Sequence, residues 1–557
     1  MSKAYTILLL QVSLSLTFGA ATAALADSST SSLREKVAHA KWSEIDTELA
    51  HGNSTMPGPE AIIRSVLYDS GGFCADRELE NVILAAEMFS AIAAHWRLTY
   101  PRSAFQRSWR ECCSGQNPEG FAEQTSTQAL PPAYAALDRS LEALAKHITT
   151  KCDGIPIIVF NPLSWTRTDA VCVESPFSQE KTAVKITDPD GRTCAARNIG
   201  DLLYFTARDV PGIGYKVFRA NRADKPPASG IRAAGTTIEN QFFSVYVDKE
   251  LGVVRRIHDK RAGRDVMPNG AASALLRVVG SDGGGEDLVG NTEVVLVDTG
   301  PARATISFDH EYGDSQFNEE LTLYDDVPRI DLHITADWRQ ASGAALKAAF
   351  QTKLIDPKVT FELPFGVAGG PASAKPYPAL NWIDLNAGRY GVGLVADAGC
   401  GYEIDGSTVR AVLIGYRESG GQSVREFTLS LFPHNGDWRR AGLIGQGLQL
   451  GRPLIARLAA SHAGSLPRSQ SFVSVSSPAV IATALKQEEN DTGTILRLRE
   501  TRGEPCETLI RVRFPAQYYI ETDALENPIG KKGPLAAGRF TVKFAPNEVR
   551  TFKLLRR

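Results

Sequence analysis

The stretch Pro433-His434-Asn435-Gly436-Asp437-Trp438-Arg439 gathers an imidazole, a carboxylate, an indole and a guanidinium around a glycine. That set suits a polar site gripping a hydroxyl-rich ligand. His434 and Asp437 can hydrogen-bond hydroxyls and Trp438 can stack on a pyranose face, with Arg439 alongside. A structural reading competes with it: a tight turn in which Asp437 caps the backbone and Trp438 fills the edge of a sandwich. Both readings stay open on sequence alone. Asn381-Trp382-Ile383-Asp384 poses the same choice. The candidate binding residues are therefore His434, Asp437, Trp438 and Arg439. No catalytic residue is nominated, because 63 acidic residues offer many carboxylate pairs. No metal ligand is nominated either. Cys112, Cys113 and Glu119 are of ligand type, but adjacent cysteines rarely face one metal tetrahedrally.

These residues need elements to position them. The 557 residues exceed one ordinary domain, and 43% hydrophobic with 22% charged residues is the balance of a soluble globular chain. A net charge of −2 gives no reason to expect nucleic acid or an anionic membrane as partner. Lys3, the apolar run Ile7–Phe18 and the sites Ala21-Thr22-Ala23 and Ala24-Leu25-Ala26 read as a cleaved signal peptide over 1–26. The expectation is an exported protein, periplasmic or extracellular, with no membrane span after cleavage. None of the 8 cysteines forms C-x-x-C, which disfavours a zinc knuckle and leaves buried thiols with one or two bridges.

Residues 27–70 read as a linker. Leu79, Val82, Ile83, Ala86, Phe89, Ala93 and Trp96 recur at helical spacing behind Asp76 as N-cap, and Tyr100-Pro101 ends that helix. After Pro131-Pro132, the stripe Tyr134, Leu137, Leu141, Leu144 and Ile148 predicts a second helix. Together they predict a small helical bundle over 71–150. From Gly154 the period becomes extended. Ile155–Phe160 is a continuous apolar run, while 243–248 and 330–337 alternate apolar and polar, with His333 on a solvated face. Strands and turns run to the C-terminus without a convincing long helix. The predicted fold is mostly β: large β-sandwich domains (151–470 and 471–557) behind the bundle, with no α/β catalytic barrel.

Several of these segments resemble glycoside hydrolase family 38, the α-mannosidases. They include Ile155–Trp165, Asp248–Gly252 with Ile257–Arg264, Tyr312–Ser315, Pro328–Asp331, Phe361–Gly366, Asn381–Asp384, Gly391–Leu394 with Gly401-Tyr402, Glu521–Asp523 and Glu548–Thr551. Pro433–Arg439 is the most specific of them. The resemblance covers about residues 70 to 557. It implies an α/β catalytic domain ahead of the bundle, an Asp nucleophile with a second carboxyl as acid/base, and retention of configuration. It also implies a zinc ion held by a His-x-Asp pair, a further Asp and a bundle histidine. The chain departs from that pattern. None of its 9 histidines is followed two residues later by Asp, and the segment after Trp109, Arg110–Glu119, holds no histidine. No cofactor is therefore expected in this chain. What the resemblance leaves is an exported, α-mannosidase-family protein retaining the carbohydrate-binding sandwich part and inactive alone, with mannose-containing glycans as ligand. The alternative is the functional half of an α-mannosidase whose catalytic domain is separately encoded or missing. The implied protein partners are that catalytic chain or a second copy.

Overall fold

In the computed structural model, residues 73–556 are described, except for 115–121, 178–182, 282, 291, 341–342, 364–365, 371–376, 398–399, 416–422 and 490–492. The expected signal peptide and linker lie outside the described residues. Helix α1 spans Phe73–Ala93, so Asp76 lies within it rather than capping it. The helix stops well before Tyr100: a single 3-10 turn (94–96) follows, and Arg97 closes it in the left-handed region. Leu79, Val82, Ile83, Leu84, Met88, Phe89 and Ile92 are all buried, which leaves little of the helix facing water. Helix α2 (Arg102–Ser114) was not expected, although Phe105, Trp109 and Cys112 are buried at helical spacing. Helix α3 (Ala122–Ala145) runs straight through Pro131 and Pro132. Each proline removes an N–H from the ladder. The buried stripe Ala129, Ala133, Ala136, Leu137, Leu141 and Leu144 nevertheless continues on both sides of them, and this packing overrides the break.

Beyond the bundle the described chain is mostly strands, arranged in seven sheets, none closed into a barrel. The strand Ile155–Asn161 pairs on one side with Gly214–Ala223 and on the other with Ile455–Leu458, so the chain returns to its starting sheet after three hundred residues. This sheet and the three-stranded sheet of Arg167–Glu174, Leu202–Val210 and Ala196–Ile199 enclose one core. A larger core lies under the nine-stranded sheet. The stretch 151–470 thus holds two sandwiches. Residues 473–555 make a further pair of sheets.

The nine-stranded sheet runs Val294–Thr299, Arg303–Tyr312, Ser315–Tyr324, Ile330–Trp338, Ser423–Asn435, Tyr390–Ala396, Trp382–Asn386, Lys358–Leu363 and Gly366–Gly370. In the strand Ile330–Trp338 the apolar residues Ile330, Leu332, Ile334 and Ala336 face the core, as the alternation predicts. The other face is not simply solvated. Asp331 is buried there, and His333 is half-buried with Nδ1 3.4 Å from Thr428 Oγ1. Register places Thr305, Thr322, Asp331, Ser430, Val395 and Trp382 in one row across this outer face, and every member is buried. Arg329 covers the row's middle. Its Nη1 lies 2.8 Å from Asp169 of the neighbouring three-stranded sheet and its Nε 3.0 Å from Asp331, which also accepts from Ser430 Oγ at 2.6 Å.

The six described cysteines, Cys112, Cys152, Cys172, Cys194, Cys400 and Cys506, are free, so no bridge forms among them. Arg329→Ala would leave the buried Asp331 carboxylate without its cation and Asp169 with only Arg167, 3.8 Å away, a change that costs about 3–5 kcal/mol. Urea unfolding followed by tryptophan fluorescence is expected to show that loss. Arg329→Met, which keeps an unbranched apolar stem but no charge, should do no better, because the Asp331 charge remains uncompensated.

Candidate functional site

The run at 433–439 ends the long strand Ser423–Asn435 and leads into two short helices, α4 (Trp438–Ala441) and α5 (Leu443–Gly451). The strand-and-turn reading did not include these helices. Gly436, at φ 82°, turns the chain off the sheet. Asp437 then takes an extended conformation and caps α4, its carboxylate accepting from the Arg440 N–H at 3.1 Å. Gly442, at φ 67°, ends α4 and starts α5. The turn is pinned from three sides. Arg261 Nη2 donates to the Pro433 carbonyl at 2.8 Å, Gly436 N donates to the Arg389 carbonyl at 2.9 Å, and Asn386 Nδ2 donates to the Gly436 carbonyl at 2.6 Å. Asp259 steadies the first of these, receiving N–H groups of Arg261 and Ala262 and the Tyr390 hydroxyl at 3.0 Å.

The four candidate residues do not all point the same way. His434 is buried, and its Nε2 donates to Asp384 Oδ1 at 3.0 Å. A carboxylate only accepts, so the Nε2 proton is fixed and Nδ1 is the ring's free edge. Trp438 is also buried, tilted against Trp382 with centroids 5.5 Å apart. The Arg439 guanidinium lies 4.3 Å from its ring centroid while Nε donates to the Arg502 carbonyl. One face of Trp438 therefore meets Trp382, and Arg439 lies over the ring. Asp437 and Arg439 keep half-exposed ends 3.4 Å apart. These contacts match the turn-and-edge alternative, and they leave Asp437 and Arg439 as the outward polar groups, with His434 Nδ1 buried behind them.

Room for this arrangement comes from Gly391-Val392-Gly393-Leu394. Gly391 is registered opposite His434, and a Cβ there would lie 2.5 Å from His434 Cε1. A Cβ on Gly393 would lie 2.8 Å from Leu443 of α5. Beneath, Arg77 of α1 donates to Asn381 Oδ1 at 2.6 Å, and Asn381 Nδ2 donates to Glu362 Oε2 at 2.8 Å. Burial pushes the Glu362 carboxyl up, against the opposing pull of Asn381, Arg499 and Arg77. Four buried polar atoms of these residues have no hydrogen-bond partner among the described residues: Arg77 Nε, Trp382 Nε1, Asp384 Oδ2 and His434 Nδ1. Sequence reading weighed Trp382 and Asp384 but missed Arg77, Glu362 and Arg261. Two glycines spaced i, i+2 on one strand face were the available signal, since that spacing marks close approach by other groups.

Against known proteins, residues 238–414 match the description "Glycosyl hydrolases family 38 C-terminal domain" and residues 479–552 match "Glycosyl hydrolases family 38 C-terminal beta sandwich domain". The chain carries the C-terminal domains of glycosyl hydrolase family 38. It is 24% identical over 530 residues to alpha-mannosidase 2C1 of Mus musculus, covering 86% of this chain and 48% of that protein. To alpha-mannosidase G of Dictyostelium discoideum it is 21% identical over 353 residues, 57% of this chain and 32% of that one. The fold is that of an alpha-mannosidase from Enterococcus faecalis V583, with a TM-score of 0.73 at 15% identity, covering 88% of this chain and 68% of that one. The chain is thus α-mannosidase-like, and it spans about half the length of the mouse relative.

Within this family 38 frame the zinc shell is not assembled by the described side chains. No three of His, Cys, Asp and Glu among them converge as metal ligands do, and Cys113 and Glu119 lie outside the described side chains. Among the described residues no helix is long and apolar enough to cross a membrane.

Gly391→Ala is expected to push the His434 ring off Asp384 and cost about 1–3 kcal/mol by overpacking. Asp437→Ala should cost about 1 kcal/mol through the lost cap. Chemical denaturation checks both, and only the first should also alter the near-ultraviolet dichroism of the Trp382–Trp438 pair.

Proposed function

We propose that this chain is an exported, α-mannosidase-family protein that binds mannose-type glycans through the surface edged by His434, Asp437 and Arg439, and does not hydrolyse them by itself. The single observation that carries the binding reading is the His434–Asp384 pair. It holds an imidazole in a fixed orientation, with a buried Nδ1 that lacks a partner among the described residues and lies behind the exposed Asp437 and Arg439. A buried polar atom without a partner costs about 1–3 kcal/mol, so a hydroxyl that reaches it is favoured. The outward carboxylate of Asp437 and guanidinium of Arg439 add an acceptor and donors of the kind that sort sugar hydroxyls. Trp438 contributes as the platform under Arg439 rather than as an open stacking face. The lack of any His-x-Asp pair in the sequence supports the inactive reading. The second reading, half of an α-mannosidase completed by another chain, is favoured by the 48% span of the mouse relative.

Glycan-array binding of the parent, compared with His434→Ala, tests the site. Loss of one hydrogen bond of about 1–1.5 kcal/mol should weaken mannoside binding ~10-fold. Equal binding by both would remove His434 from the site. Aryl α-mannoside hydrolysis, with and without zinc, should show no turnover by the chain alone. Zinc-dependent turnover that survives repurification would overturn the inactive reading.

A further inference from the structure

A second polar cluster lies far from the run, where the bundle meets the terminal sandwich. Glu87 of α1 is buried there. The Tyr100 hydroxyl lies 3.3 Å from its Oε1, and the Trp109 indole of α2 faces the same carboxyl. From the sandwich strand Val480–Gln487 comes Lys486, buried, with Nζ 2.6 Å from Glu489 Oε1 and 2.8 Å from Glu526 Oε1. Gln106 of α2 donates to Glu489 at 2.9 Å, and Arg102 donates to the Glu488 carbonyl. Lys553 holds Glu488. From the strand Thr494–Glu500 the buried Arg497 faces both Glu87 and Glu526.

Burial decides the character of this junction. Lys486 and Arg497 are the buried cations, Arg102 adds a third at the half-buried edge beside Glu489, and Glu489 and Glu526 pair with Lys486. Glu87 is itself buried, so a charge on it would sit in a place water does not reach. Burial pushes the Glu87 carboxyl up to about 7, although Lys486 pulls it down, and Glu489 pushes it further up. The surrounding contacts are apolar and shared: α1 and α3 residues, Phe160 and Tyr215, and Leu485, Leu496 and Leu498 form one core.

We propose that Glu87 and its partners form a proton-operated latch between the bundle and the terminal sandwich, closed while Glu87 carries a proton and loosened when it ionises. The latch has a path to the candidate site. Helix α1 carries Glu87 ten residues from Arg77, about 15 Å along the axis. Arg77 holds Asn381, and Asn81 touches α5 so closely that a Cβ on Gly451 would lie 2.7 Å from its amide. Loosening at Glu87 frees the helix that floors the run at 433–439. The latch rests on these contacts and not on the glycan reading.

The direction of the pH effect follows from linkage. An unfolded or undocked Glu87 titrates near the ordinary 4.5, and the docked one near about 7. The contribution of the protonated form is therefore complete below the lower value, is lost progressively between the two, and is constant above the upper one. Hydrogen exchange of the full chain, read on peptides from α1 and from 480–487 after correction for intrinsic exchange, measures the opening constant directly. It is expected to rise about tenfold per pH unit from about 4.5 to about 7 and then level off, a slope set by one proton. Glu87→Gln should remove the slope. A flat profile in the parent chain, which needs no variant to fold, overturns the latch, as does a Glu87→Gln profile with the parent's slope.

Discussion

A sheet of nine strands has two faces, and the sandwich core fills only one of them. In this protein the other face carries the row Thr305, Thr322, Asp331, Ser430, Val395 and Trp382, which is polar at one end and aromatic at the other. Burying that row is the constraint from which the remaining architecture follows. At its polar end the groups satisfy one another first, Thr305 with Thr322 at 2.9 Å and Ser430 with Asp331. The Asp331 charge then demands a cation, and Arg329 supplies it while also reaching Asp169 in a different sheet. One guanidinium thereby welds the nine-stranded sheet to the sandwich beside it. Its planar fork can serve two carboxylates at once, which an ammonium does with less geometric definition.

At the aromatic end the cover is α4 and α5. Trp382, Val395 and Phe432 of the sheet meet Trp438, Leu443 and Ile444 of the helices, with Ile481 of the terminal sandwich completing a small core. The same helices are fixed at their far end by Arg167, whose Nη2 donates to the Arg452 carbonyl at 2.7 Å. The candidate site is thus the seam where three sandwiches and the bundle converge. Its polar groups are held by the same contacts that hold the domains together, so a change in docking is felt at His434 and Asp384.

How much of this was legible in the sequence depended on range. Alternation read the strands 243–248 and 330–337 correctly because one face of each packs on a core, and period alone records that. The same alternation misjudged Asp331, because burial of its face depends on Arg329 and a sheet 160 residues upstream. Helix α5 was unreadable for a different reason. Leu443–Gly451 holds three glycines, which lower helix propensity. Those glycines exist for contact: Gly445 meets Trp165, Gly447 meets Asn381 and Trp382, and Gly451 meets Asn81. Close packing on every side stabilises a helix that its own sequence disfavours. The prolines of α3 follow the same logic. In the candidate site, the residue types of the run were visible from the start. The partners that decide their roles, Asp384, Trp382, Arg261 and Arg77, lie at 50 to more than 350 positions' distance; the segment 381–384 stood out on its own residues, and for the others only the paired glycines at 391 and 393 were a signal.

The run at 433–439 has two kinds of residue once its contacts are known. Gly436, Asp437 and Trp438 make the corner between sheet and helix: a left-handed turn, a cap and a buried indole. Their identities follow from geometry whether or not a ligand binds. His434 is different. A corner needs no imidazole, and a smaller apolar side chain would pack against Gly391 without requiring a buried carboxylate on the next strand. Keeping His434 obliges Asp384 to be buried and Gly391 to be bare, and it still leaves the far edge of the ring without a partner among the described residues. Under the proposed binding role a ligand hydroxyl would complete the ring's hydrogen bonding, and that role then depends on His434 rather than on the more conspicuous Trp438.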